Sequence, residues 1–339
     1  SSGKGGGFIA KDWYPVSTSS LGELSFQLHA ELAEEHNGVE RWGYRRLNTL
    51  SVDGDARAAR SSKKLVDVPE AKWIAPVKGS IRSIGTVEST AQVHPFQLTN
   101  ALVELSKEKG LNVIIGEASG VIFGDDGKPT GVKISSSDGE EMIEATDVVF
   151  TAGPWTGDLA LKLLGEKAGR AAEIEPSTKS TSIVVTPDLG YEVTAHALFC
   201  TLVLADGSHV QPEIYARPDN TLYVCGAGMT DRTPLPTKAK DVEFSPEGVE
   251  RLKTRVAATV QSDWVKKRME NDDFLKQACY RPDSSETGLP ILGKINEGLW
   301  MASGHQVWGI SLGPGTGKIM AQLLLDGEAI SAEVDDLLV

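Results

Sequence analysis

Positive charge is in short supply in this chain. Its 339 residues carry 34 Lys and Arg against 47 Asp and Glu, a formal net charge of −13. A surface of that sign repels phosphate backbones and anionic headgroups, so neither nucleic acid nor an anionic membrane is expected as a partner. Cysteine is scarce as well: Cys200, Cys225 and Cys279 are scattered and odd in number, with no C-x-x-C pair. That excludes a disulfide framework and a thiolate metal centre, and suits reduced thiols in an intracellular, cytoplasmic protein. His29, His36, His94, His196 and His209 are dispersed and add no metal set. No apolar run approaches the roughly 18 residues that a membrane-spanning helix needs. No repeat or long low-complexity segment is present. There is no initiator Met, so these exclusions extend only to the residues in hand.

Glycine is plentiful where it matters. Ser303 to Lys318 packs five glycines and one proline around His305 and Trp308, and an apolar segment, Ile319 to Leu325, follows. Such a stretch predicts a Gly-rich loop whose backbone can approach a flat ligand, with the following helix aiming its free N–H groups and dipole at it. It equally suits a loop that merely caps a surface helix. It is not a P-loop, because Leu312 stands where the first glycine is needed and Ile319 where Ser or Thr is needed.

The order Arg281-Pro282, Gly288-Leu289-Pro290-Ile291-Leu292-Gly293, Gly298 to His305, Gly309 and Gly315-Thr316-Gly317 resembles the C-terminal signature of the FAD-dependent D-amino-acid oxidase, glycine oxidase and sarcosine oxidase family. The opening, Ser1-Ser2-Gly3-Lys4-Gly5-Gly6-Gly7-Phe8-Ile9-Ala10 with Asp12-Trp13, resembles the loop after the second strand of that family's Rossmann unit. It is most similar to a fungal subgroup of unassigned substrate, some of whose members are linked to endosomal trafficking. Ser1–Gly7 also reads as a tag scar. A first βαβ unit with its G-x-G-x-x-G turn would precede this loop, and a comparable piece is inferred to be missing.

The resemblance implies an α/β fold: a truncated, Rossmann-type FAD-binding domain over 1–40, 90–170 and 281–339, and a mixed-sheet, α+β substrate-binding domain over 41–89 and 171–280. The length itself suits two domains. Residue patterns fill in the elements. Leu21 to Ala33 predicts a helix with Leu21, Leu24, Leu28 and Leu32 on one face. A strand-like run covers Trp42 to Val52, and a basic linker Arg57 to Lys64. A helix runs from His94-Pro95 to Lys109, closed by Gly110. Leu111 to Ile115 reads as a buried strand. Ala118–Phe123, Gly131–Ser135 and Glu141–Glu144 read as an antiparallel meander with turns at 125–127 and 138–139. Asp147 to Trp155 reads as a strand entering a Gly-Pro turn. Strands follow at 181–185, 196–204, 213–216 and 221–225, the last two joined by Pro218-Asp219-Asn220. Glu247 to Trp264 reads as a helix, with a short helical segment near Asp272 to Leu275.

Site roles follow from chemistry and resemblance together. The cofactor, non-covalent FAD, carries the redox chemistry. The protein must hold a small amine or amino acid over it and stabilise the reduced ring. The Arg281 guanidinium suits a carboxylate grip, as its counterpart does in the family; the same group also suits a salt bridge. Gly315-Thr316-Gly317 would turn backbone donors toward the ring. His305 and Trp308 either shape that pocket or are a loop histidine and a packed indole. Tyr215 and Arg217 share a strand face and either touch substrate or are ordinary strand residues. The family implies cofactor contacts at Ser2, Gly3, Lys4, Gly5, Gly6, Gly7, Val121, Ala152, Gly153, Trp155, Ser303, Gly304, His305, Gly309, Gly315, Thr316 and Gly317; Val121 otherwise reads as a core valine. The expected activity is oxidation of a C–N bond by hydride transfer to flavin N5. The alternatives are a flavoprotein-fold binding or endosomal trafficking factor, and an FAD-dependent 2-hydroxy-acid dehydrogenase. Without the phosphate-binding turn, FAD binding by these residues alone is expected to be weak.

Overall fold

The computed structural model describes residues 2–55, 57, 65–137, 139–228 and 231–339. The expected basic linker, Arg57 apart, lies outside these residues, as does Asp138 of the expected 138–139 turn. In chain order the strands are β1 (Phe8–Ala10), β2 (Arg45–Arg46), β3 (Asn48–Asp55), β4 (Gly79–Gly85), β5 (Thr90–Gln92), β6 (Glu117–Phe123), β7 (Pro129–Ser136), β8 (Gly139–Glu144), β9 (Val148–Phe150), β10 (Ile174–Pro176), β11 (Ser180–Val185), β12 (His196–Val203), β13 (His209–Val210), β14 (Glu213–Ala216), β15 (Leu222–Cys225), β16 (Leu275–Cys279), β17 (Pro282–Ser284), β18 (Ile291–Asn296) and β19 (Leu299–Ser303). The helices are α1 (Val16–Glu35), α2 (Gly38–Trp42), α3 (Pro95–Glu108), α4 (Thr156–Leu164), α5 (Pro246–Thr259), α6 (Ser262–Glu270) and α7 (Gly309–Leu325).

By contacts the chain forms two compact units, Ser1–Lys11, His29–Ala101 and Thr178–Cys279 in one, Asp12–Leu28, Leu102–Ser177 and Tyr280–Val339 in the other. Residues 1–11, 29–40 and 90–101, grouped on the sequence with 281–339, cluster with the first.

The first unit is built on a sheet in the order β16-β11-β15-β14-β12-β3-β4, with β13 paired to β12. Strand β12 runs parallel to β3 and the other pairs are antiparallel. Side chains alternate with a period of two. Ile183, Val185, Leu198, Cys200, Ile214 and Val224 join Val249, Leu252 and Val256 of α5 in one core. Val184, Ala197, Tyr215, Tyr223 and Cys225 meet Phe8 on the opposite face. The hairpin between β14 and β15 turns at Asn220 in the left-handed region (φ 60°), which asparagine tolerates better than most residues.

In the second unit β9 lies parallel to β19 and β18 antiparallel to it. Leu292 and Trp300 face a core containing Leu312, Ile319 and Leu323 of α7. Ile291, Leu299 and Met301 face Ala160 and Leu164 of α4. The meander β6-β7-β8 forms as expected, and β10 pairs with β17.

Four expectations are corrected. Trp42 closes α2, and the strands β2 and β3 begin only after Gly43 turns the chain with φ 64°. The helix over 247–264 is two helices, α5 and α6. Asp272–Leu275 is no helix: Leu275 starts β16, which pairs with β11. Leu111 to Ile115 forms no strand, because nothing among the described residues pairs with it, and Leu111, Val113, Ile114 and Ile115 stand exposed. An apolar run becomes a strand only when a neighbour takes its backbone groups.

The largest difference concerns Gly309 to Lys318, which is the first half of α7 and not a loop. Pro314 sits inside the helix, where its ring and missing N–H disturb the ladder. The hydroxyl of Ser25 on α1 enters at that point. It donates to the Ser311 carbonyl (2.6 Å) and accepts from the Gly315 N–H (3.1 Å), bridging a pair that would bond directly in a regular helix. Gly315 allows the approach: a Cβ there would lie 3.0 Å from Leu21 Cδ1 and Ser25 Cβ. At Gly317 a Cβ meets nothing within 4 Å. Gly315→Ala is therefore expected to destabilise the chain by about 1–3 kcal/mol in urea denaturation through overpacking. Gly317→Ala is expected to stabilise it by about 0.5–1 kcal/mol through backbone entropy.

Candidate cofactor-binding and catalytic residues

The second unit gathers most of the expected residues around the end of β19. Ser303 accepts from Thr156 Oγ1 (3.2 Å) and donates to the Gly153 carbonyl (3.2 Å), which ties the Ala152–Trp155 turn to β19. Gly304 follows with φ 83°, and a Cβ there would crowd the Leu289 carbonyl at 3.1 Å and Ile174 at 3.2 Å. Gln306 is also left-handed, φ 48°. Its amide repays that strain by donating to Asp283 Oδ1 (2.6 Å) and the Gly288 carbonyl (2.9 Å). These bonds fix the corner that carries His305.

His305 Nε2 lies 2.9 Å from Thr316 Oγ1, so the loop histidine is fastened to the second turn of α7. Desolvation by burial pushes its pKa from 6.5 down to about 4, which leaves a neutral imidazole at physiological pH. Trp308 is half-buried and stands edge-on to Tyr14, ring centroids 4.8 Å apart. Tyr14 in turn shares a 2.5 Å hydrogen bond with Ser311 Oγ. Gly309, Gly313 and Gly317 recur at the four-residue helical interval and leave one face of α7 bare. A Cβ at Gly313 or Gly317 meets nothing within 4 Å, and at Gly309 only His305 Cβ at 3.8 Å. Gly315 does not belong to that face: it packs on α1, and its N–H is taken by Ser25.

Arg281 is half-buried just before β17, and its carbonyl accepts from Ser177 N (2.9 Å). Val121 of β6 is half-buried against the core containing Phe150 and Ala160.

The remaining candidates lie in the first unit. Ser2–Lys4 form a 3₁₀ turn. Lys4 Nζ donates to the Ala278 carbonyl (3.1 Å), Gln277 to the Lys4 carbonyl (3.0 Å) and Arg217 to the Gly5 carbonyl (2.9 Å). Gly6 lies against the ring of Tyr215, which a Cβ would reach at 2.3 Å; at Gly7, φ 88°, a Cβ would meet the Val93 carbonyl oxygen at 2.0 Å. Tyr215 is buried, stacked between Phe8 (5.6 Å) and Tyr223 (5.8 Å), and its hydroxyl donates to Glu213. Burial raises its pKa well above 10, so it stays a neutral phenol. Packing accounts for the glycines at 6 and 7 and for Tyr215.

Sequence reasoning missed Ser25 and Gln306. A serine inside an amphipathic helix carries no signal of its partner, and the Gly304-His305-Gln306 corner reads on the sequence as one more flexible turn. Among the described residues, no group of His, Cys, Asp or Glu could hold a metal ion, and no helix is long and apolar enough to cross a membrane.

The residues on α7 fit part of an FAD. A helix face without Cβ atoms lets a flat ring lie on the backbone, and the neutral His305 imidazole adds an uncharged hydrogen-bonding edge beside it. No strand–G-x-G-x-x-G–helix unit for the phosphates occurs among the described residues.

The depressed His305 pKa makes stability depend on pH. An unfolded chain protonates this imidazole near pH 6.5, the folded chain only near pH 4. Its contribution is present above pH 6.5 and is lost as the pH falls toward 4, by roughly 2–3 kcal/mol. In His305→Gln, the fall in urea-denaturation stability between pH 7 and pH 4.5 is expected to be smaller by about that amount.

Comparison with known proteins completes the picture. The family model described as FAD dependent oxidoreductase matches residues 1–323. "Putative oxidoreductase C1F5.03c" of Schizosaccharomyces pombe is 34% identical over 355 residues, with 98% of this chain and 85% of that protein covered. The glycine oxidase of Pseudomonas putida is 28% identical over 342 residues, covering 95% and 78%. The crystal structure of glycine oxidase from Bacillus cereus superimposes with a TM-score of 0.70 at 18% identity, covering 98% of this chain and 89% of that one. That of L-proline dehydrogenase from P. horikoshii gives 0.68 at 16%, covering 99% and 86%. With the match running through β1, the Ala152–Trp155 turn, Arg281 and α7 alike, the chain belongs to the FAD-dependent oxidoreductases, enzymes whose cofactor is FAD.

Proposed function

We propose that this protein oxidises the C–N bond of a small amine or amino acid, with Arg281 holding the substrate carboxylate. The observation that carries this reading is the presence, within one unit, of a half-buried Arg281 and a half-buried His305 whose imidazole is uncharged at neutral pH. A guanidinium grips a carboxylate through two parallel hydrogen bonds and so fixes angle as well as position. A neutral His305 adds no positive charge to compete for that carboxylate, and no side-chain base is required when the amine binds uncharged. FAD, when bound, accepts the hydride. The bare face of α7, Gly309, Gly313 and Gly317, is the proposed seat of its ring, with Ser303, Gly304 and the Ala152–Trp155 turn supporting that corner and Val121 as a further proposed contact. Ser2–Gly7 are proposed as further cofactor contacts, on the family resemblance of that loop. FAD is held without a covalent bond in this reading: Cys200 and Cys225 are buried thiols, and burial raises the Cys200 pKa to about 12.

Similarity to glycine oxidase supports an amine over a 2-hydroxy acid as substrate. The test is turnover of glycine, sarcosine and larger amino acids, reading ammonia or amine release beside electron-acceptor reduction. Arg281→Ala is expected to raise KM for carboxylated substrates about 100-fold or more, and Arg281→Lys about tenfold, consistent with loss of a charge-assisted bidentate contact. Acceptor reduction by a 2-hydroxy acid without nitrogen release would replace this reading with the dehydrogenase. No turnover of any of them, and indifference to Arg281→Ala, would favour a binding factor.

A further inference from the structure

Two guanidinium groups in the first unit share too little negative charge. Arg217 is 3% exposed, stacked 5.1 Å over the Tyr223 ring, with Nη2 on the Gly5 carbonyl and Nε without a partner among the described residues. Arg45 donates Nη2 to the Ala216 carbonyl (2.9 Å), and its buried Nε likewise has no partner among the described residues. Burial lowers both pKa values, and the carboxylate opposing that effect at each is Asp219. That carboxylate is already engaged by Thr221, through the backbone N–H (3.2 Å) and the hydroxyl (2.7 Å). His94 Nε2 stands 3.7 Å from Asp219, and its buried Nδ1 has no partner among the described residues. Two buried or half-buried cations against one carboxylate leave an excess positive charge away from bulk water, which is costly unless an anion answers it.

A groove of about 1030 Å³ opens at this spot, lined by Arg217, His94 and Asp219. The N-terminal part of α3, a 14-residue helix, also lines it through Phe96, Thr99 and Asn100. The far wall carries Phe274 and Gln277. Arg268, Asp272 and Asp273, also on the wall, are spent in ion pairs with one another's neighbours: Arg268 with Asp273 and Asp188, Asp272 with Lys253 and Lys276. Lys4, a further cation on the wall, donates Nζ to the Ala278 carbonyl (3.1 Å).

We propose that this groove is a binding site for a small oxyanion, a carboxylate or phosphate group seated between Arg217, His94 and the start of α3, with any flat or apolar remainder lying between Phe96 and Phe274. The groove does not include Arg281, but it shares Ser2, Gly3 and Lys4 with the residues proposed above as cofactor contacts.

Isothermal titration of the full chain with inorganic phosphate and with benzoate, at constant ionic strength set by sodium chloride, tests it. One equivalent of either anion is expected to bind; the stronger arm distinguishes a phosphoryl from an aryl-carboxylate ligand. Asp219→Asn removes the competing carboxylate and is expected to tighten binding about fivefold, because Coulomb attraction then goes unopposed. Arg217→Gln is expected to weaken it more than about tenfold. Should Arg217→Gln fail to fold, the sign of the Asp219→Asn effect still decides. Binding that Asp219→Asn leaves unchanged or weakens, or no heat from either anion in the wild type and Asp219→Asn, overturns the proposal.

Discussion

The second unit depends on one hydroxyl. Pro314 would break α7 where it stands, and Ser25 takes over by bridging the Ser311 carbonyl and the Gly315 N–H. A buried carbonyl and a buried N–H left apart would each cost about 1–3 kcal/mol, so the bridge is what permits a proline within a buried helix. It also fixes α1 against α7 at a distance only glycine allows at position 315. Through Thr316, one residue on, the same turn holds His305. The α1–α7 contact and the turn that holds the imidazole are therefore both tied to a single side chain far away in sequence.

The glycines fall into two physical kinds. Gly6, Gly7, Gly304 and Gly315 are glycine because protein atoms already occupy the space a Cβ would take. Gly313 and Gly317 have no such neighbour, and in a helix interior each costs about 1 kcal/mol relative to alanine. Glycine without a packing reason inside a helix marks a face kept bare for something else. That contrast separates packed from open positions within one motif that looks uniform on the sequence.

Much of the fold was legible in the sequence. Alternating apolar residues at 181–185, 213–216 and 221–225 gave strands with the faces the cores require, and Pro218-Asp219-Asn220 gave their hairpin. The meander and the strand into Gly153-Pro154 were equally plain. What failed was whatever depends on partners distant in the chain. The apolar run Leu111 to Ile115 has the composition of a strand but no neighbour among the described residues. Gly309 to Lys318 looks like a loop because glycine and proline are counted as breakers, while its helicity comes from Ser25 and from packing on Leu21. Of the candidate site, Arg281, His305 and Thr316 were visible as a motif, but not that His305 is tied to Thr316 or braced by Gln306. Tyr215 shared its strand face with Arg217 on the sequence, and nothing there told that the pair lies under the Gly5–Gly6 backbone.

The central claim is that the bare face of α7 receives the flavin ring. Titration of FAD into the protein and into Gly317→Leu, followed by quenching of flavin fluorescence, addresses it most directly. A Cβ at this open helical position meets nothing within 4 Å among the described residues, so a leucine can be placed there to fill the face. The account predicts that FAD affinity falls by about tenfold or more in the variant, the order expected when a side chain takes the place of a ring contact, while the fold is retained. Equal affinity in the two proteins would contradict it and move the ring elsewhere.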